Sequence, residues 1–281
     1  MKYLFTLILF FLLNSFCAAQ QFQYERSFGN FKSATSFYIT PAGIVLVTDD
    51  ITDEVYQLDT LGNIINFIGG YGWEINSFDD PVDVFADALR ILISDKNNHR
   101  IQRFDKNLNF IFQFYTRDSD IEEERFGYPL SAVTSNLGDV FILDSENIRI
   151  LKFDLFGNFI QTIGGYDYGS YSLSNPKQLA VSMQNNLYVI DGNNIFIYDN
   201  YGTALGMIEA DEELNSIRII FNWMTVSTSD NIYITNLNSE EQTLVKIFLD
   251  DEIKPEIVSS LIFNGKLYIL TQSEIRVYSP L

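Results

Sequence analysis

The sequence predicts an all-β fold, a six-bladed propeller of four-stranded antiparallel blades closed by its N-terminal strand. Three observations lead there. A unit of Pro, apolar strand, second strand ending in Asp, polar turn and third strand recurs with a period in the forties. Each copy holds about four short strands divided by Asn-, Asp- and Gly-rich turns. No stretch combines the long 3.6-residue apolar period with the capping residues of an amphipathic helix.

Residues 1–19 stand apart. Lys2 gives a basic start, Tyr3 to Leu13 is apolar apart from Thr6, and Cys17-Ala18-Ala19 offers small residues to a signal peptidase. The run is shorter than the roughly 20 residues a bilayer span needs, so it reads as a signal peptide cleaved after Ala19 and not as an anchor. Cleavage removes the single Cys of the chain, leaving residues 20–281 with no thiol and no disulfide. The expected location is the periplasm or the exterior of a bacterial cell, with no membrane span once the leader is gone.

The first blade covers about 31–70, with Ile44 to Val47 ending at Asp49. The second, 78–114, is the clearest copy: FDDPVDVFADALRILISDKNNHRIQRFDKNLNFIFQF, with Asp95 in the place of Asp49. The third, 126–165, carries Pro129 and Asp144, and the fourth, 173–208, carries Pro176 and Asp191. The aspartates fall 46, 49 and 47 residues apart. The fifth, 214–249, and the sixth, 253–281, keep only the strand pattern, the fifth through Met224-Thr225-Val226, Ile232 to Thr235 and Leu244 to Phe248. The sixth ends before a fourth strand, and Phe22 to Phe28 alternates and belongs to no other unit, so it supplies that strand. Continuous apolar runs such as Ile91-Leu92-Ile93 fit strands covered on both faces by neighbouring blades.

The chain is 47% hydrophobic and 15% aromatic, enough for a large core. Its formal charge of −19 repels phosphate backbones, which makes nucleic acid a poor partner.

The run Asp95-Lys96-Asn97-Asn98-His99-Arg100-Ile101-Gln102-Arg103-Phe104-Asp105, with Pro81 before it, resembles the NHL repeat, and Asp144 to Asp154 is similar. The fourth unit keeps Pro176, Asp191 and Asn194 but has Phe196 in place of the arginine. The resemblance implies a six-bladed propeller and a binding platform for protein, peptide, glycan or RNA. Related six-bladed propellers also include lyases and lactonases.

The strand-end aspartates Asp49, Asp95, Asp144 and Asp191 read first as turn stabilisers, accepting backbone N–H groups. His99 is the only histidine, so a histidine-built zinc site cannot form. The positions expected to line the central channel are Ser36, Asp83, Ser131, Gln178 and Trp223, which supply one carboxylate, too little for a calcium site. The acidic run Arg117 to Arg125 reads as a solvated loop. No catalytic residue, metal or cofactor is expected. Between blades, two Gly-rich loops carry Tyr71, Trp73, Tyr166, Tyr168 and Tyr171, which either plug the blade corners or form a recognition face. The expected function is an exported, non-catalytic scaffold for a protein, peptide or glycan. The alternative is a calcium-assisted hydrolase or lactonase built on Asp83.

Overall fold

The computed structural model describes residues 21–250 and 255–281. The expected signal peptide lies outside them. Six sheets form the ring, five of four strands and one of five. Within each of the first five blades the strands run antiparallel in chain order from the channel outward. The first is Ala34–Ile39, Ile44–Asp49, Glu54–Asp59 and Ile64–Gly69. The next three begin at Pro81, Pro129 and Pro176, and the fifth begins at Ser216. The runs that lack alternation are the second strands, such as Arg90–Asp95, sealed on both faces: Ile91, Leu92 and Ile93 are all buried. Among the described residues the only helical turns are the 3-10 segments Glu122–Glu124 and Tyr166–Tyr171, and no helix is long and apolar enough to cross a membrane.

Closure follows the expected route. Gln21–Phe28 pairs antiparallel with Ile275–Pro280 as the outer strand of the sixth blade, burying Phe22. One feature goes beyond it. The outer strand of the fifth blade is broken after two residues, Val245–Lys246, which pair with Ile234 and Tyr233. The chain then crosses to the sixth blade, where Phe248–Asp250 adds a fifth strand parallel to Gln21–Gln23. The edge left by ring closure is thereby covered by chain from the neighbouring blade.

A backbone irregularity at the start of four inner strands positions the channel. The register slips by one residue between Ala34 and Ser36, Pro81 and Asp83, Pro129 and Ser131, and Pro176 and Gln178. Such a bulge re-aims the residue that follows it, and a proline is tolerated there because the ladder is already interrupted. The fifth and sixth blades have neither the proline nor the slip.

Candidate functional site

The bulges deliver Ser36, Asp83, Ser131 and Gln178 to one level of the channel. Asp83 Oδ1 accepts from Ser36 Oγ at 2.8 Å and Gln178 Nε2 at 2.9 Å, and Oδ2 accepts from Ser131 Oγ at 2.5 Å. Arg218 completes the group, its guanidinium NH2 donating to Asp83 Oδ1 at 2.7 Å and to Ser36 Oγ at 2.5 Å. Both charged side chains are 2% exposed. The same side chains bind neighbouring blades, since Ser36 Oγ, Ser131 Oγ and Gln178 Oε1 accept the backbone N–H groups of Val84, Leu179 and Ile217. This polar septum joins blades one to five across the axis.

Trp223 does not line the channel. The inner strand of the fifth blade is Ser216–Ile220, and Trp223 opens its second strand after a two-residue turn. The stretch Ser-Ile-Arg-Ile-Ile has no proline and a central arginine, so it does not stand out as a first strand. Arg218 is the residue thereby missed.

Where inner strands begin, the loops between blades meet the turns between second and third strands. Buried Asp49, Asp95, Asp144 and Asp191 tie them together. Their carboxylates reach beyond their own turns to the loop before the inner strand: Asp49 accepts from Lys32 N and Ser33 N, Asp95 from Asp79 N, Asp144 from Gly127 N, and Asp191 from Ser174 N and Asn175 N. Burial pushes the Asp95 carboxyl up from its ordinary value, against the pull of the Asp79 N–H, Asn98 and Arg100. Arg100 binds Asp95 Oδ2 at 2.7 Å and donates to the carbonyls of Trp73, Glu74 and Ser77. Arg149 repeats this with Asp144 and the carbonyl of Arg125. These arginines hold the inter-blade loops down. His99 lies on the same face, at positive φ, its Nδ1 accepting from Tyr128 N at 3.1 Å and contacting Arg117 NH1 at 3.2 Å. Burial and then Arg117 lower its pKa.

The five loop aromatics divide. Tyr168 donates to the carbonyl of Thr162 and meets Tyr198 edge-on at 6.0 Å, and Tyr171 meets Phe196 at 5.9 Å. Both fill the corner between blades. Trp73 stacks on the Arg100 guanidinium at 5.0 Å and stays half exposed. Tyr71 and Tyr166 are free in solvent. Acidic residues surround them on this face, among them Asp50, Asp53, Asp118, Asp120, Glu122 to Glu124, Asp211 and Glu213.

The opposite face is built from two-strand hairpin turns, and its chemistry differs. Turns between inner and second strands expose Pro41, Leu89, Leu137, Met183 and Phe221, and turns between third and outer strands expose Leu61, Phe156 and Tyr201. Leu89 is 72% and Phe156 77% exposed. At the centre lies a cavity of about 370 Å³ whose walls include Tyr38, Phe85, Val181 and Ile219 and whose rim carries Leu89, Met183 and Phe221. Sequence reasoning passed over this face. Its signal was present: leucine, methionine and phenylalanine stand at turn positions that usually take polar residues. Among the described residues no three His, Cys, Asp or Glu side chains group closely enough to hold a metal.

No family model matches the chain. It is 29% identical over 142 residues to Protein brain tumor of Drosophila melanogaster, a match taking in 49% of this chain and 13% of that protein. Among solved structures it is similar to streptogramin B lyase, with a TM-score of 0.65 at 13% identity over 91% of this chain and 97% of the other. It is also similar to virginiamycin B lyase from Staphylococcus aureus, with a TM-score of 0.60 at 12% identity over 90% and 98%. A catalytically inactive histidine-to-alanine variant of that lyase with quinupristin gives a TM-score of 0.62 at 10% identity over 91% and 99%. At these identities the likeness establishes the propeller fold.

Proposed function

We propose that the chain is an exported, non-catalytic, NHL-like propeller that binds a protein or peptide through its hairpin face. The observation that carries the reading is the ring of exposed apolar turn residues around a central cavity, since a soluble surface gathers such side chains where it meets a partner. The state of the channel favours binding over calcium-assisted hydrolysis. The one channel carboxylate, Asp83, already accepts hydrogen bonds on both oxygens and is neutralised by Arg218 where a cation would have to sit. His99 is held in a turn at the rim of the opposite face, away from the channel. The NHL-like character is supported by the equivalent places of Arg100 and Arg149 and by the match to Protein brain tumor. Export rests on the leader-like residues 1–19. It is tested by the intact mass of the protein recovered from cells, which should lack them.

A photo-crosslinking residue placed at Leu137 should give discrete polypeptide adducts in the native envelope, and one placed at Tyr166 should not. Adducts from position 166 only would move recognition to the acidic face and contradict the reading.

A further inference from the structure

The hairpin face has a socket with a floor. Beneath the cavity, the gap among Tyr38, Phe85, Leu179, Ala180, Ile217 and Arg218 has no room for a water molecule. An entering group therefore stops about one side chain deep. The walls are mainly apolar, and Asp87, Arg90, Thr134, Asn136 and Ser182 bring polar groups to the lining. A group that meets both kinds of surface is apolar in its body and polar at one edge. Trp and Tyr have that form.

The charge around the socket narrows the choice. Asp87 and Arg90 at the rim pair with each other at 2.7 Å and leave no net charge. Farther out on the same face stand Asp59, Asp105, Asp154 and Asp199, one in the turn between third and outer strand of each of the first four blades. Their oxygens accept N–H groups of their own turns, as in Asp59 with Leu61 and Asn63. Hydrogen bonds from Asn63, Asn109 and Asn158 hold the first three carboxyls below the usual range, so they are ionised at neutral pH. Among the described residues none of the four has a salt-bridge partner.

The geometry points to one occupant, resting on the binding reading above: a tryptophan or tyrosine side chain of a basic polypeptide segment, seated in the socket while flanking cationic residues reach the turn carboxylates. Anionic lipid headgroups would meet the same carboxylates and be repelled.

The test is a fluorescence-anisotropy titration of the full mature chain with labelled peptides. Ac-KKWKK-NH2 should bind about tenfold more tightly than Ac-KKAKK-NH2 or Ac-EEWEE-NH2, and its binding should weaken as salt is raised. The double substitution Leu89→Asp with Met183→Asp, at two exposed positions, should remove about that tenfold preference, and Leu89→Met should keep it. Equal affinity for the Trp and Ala peptides would overturn the socket, as would no binding by either. Sedimentation with neutral phosphatidylcholine vesicles, lost in the Leu89→Asp, Met183→Asp chain, would assign the face to lipid and overturn it too. If the titration fails while crosslinking at position 137 still captures a polypeptide, the binding reading stands and only the anchor chemistry falls.

Discussion

The two faces of the ring are made from the same repeat and use it differently. On the acidic face, loops between blades are long, and the repeat spends its polar residues holding them: Asp95 and Arg100 are both buried, and Arg100 takes the carbonyls of Trp73, Glu74 and Ser77. On the hairpin face the turns are short, and polar side chains of the preceding blade reach their backbone carbonyls, as Gln57 does Lys106, Lys152 does Asn200 and Gln161 does Tyr201. Asp59, Asp105, Asp154 and Asp199 close their own turns, so the exposed side chains of the neighbouring tip residues Leu61 and Phe156 carry no structural duty, while the Tyr201 ring lies 5.6 Å from the Lys152 ammonium. Side chains without structural work that are nevertheless apolar and exposed are the ones to read as functional. By that standard the strongly patterned residues of the sequence are scaffold, and the unpatterned turn tips are the proposed site.

Between the faces lies the septum, and the largest effect is expected there. Asp83→Ala leaves Arg218 buried without its carboxylate and should cost about 3–5 kcal/mol in denaturant unfolding. An unchanged midpoint would show that the pair does not join the blades. Next comes the acidic face, where Arg100→Ala strands a buried aspartate and several loop carbonyls and should cost about 3 kcal/mol. Arg149→Ala should cost less, about 1–2 kcal/mol, because Arg149 is 18% exposed and makes fewer contacts. Equal losses would break the view that burial of the arginine sets its contribution. On the hairpin face, Leu89→Asp or Phe221→Asp should shift stability by less than about 0.5 kcal/mol. A large loss there would make these tips packing residues.

The smallest effect is one of pH. The carboxyls of Asp59, Asp105 and Asp154 titrate below their unfolded value, so their support of the turns is complete above that value, near pH 4, and is lost as the pH falls through the folded pKa values. Amide exchange at Asn63, Asn109 and Asn158, corrected for intrinsic rates, should accelerate across that acid range. Flat exchange would show that the carboxylates do not hold the turns.

The blade count and the closing strand were legible because period and alternation report backbone geometry directly: Asp49, Asp95, Asp144 and Asp191 mark equivalent strand ends, and Phe22 to Phe28 had no other partner. The channel was legible in the four blades where Pro, or Ala34 in its place, sets the bulge. It failed in the fifth, where the inner strand Ser216–Ile220 lacks that mark and carries Arg218, a residue whose place depends on a carboxylate more than a hundred positions away. The loop aromatics show the same limit. Tyr168 and Tyr71 look alike in sequence, yet one is buttressed by Tyr198 and the other faces water, a difference set by the neighbouring blade.

The most direct test of the division between faces is hydrogen–deuterium exchange of the mature chain with and without Ac-KKWKK-NH2. Protection confined to the turns at 87–90, 135–138, 182–185 and 220–222 is the expected result. Protection of the loops at 69–77 and 164–171, with the hairpin turns unchanged, would contradict it.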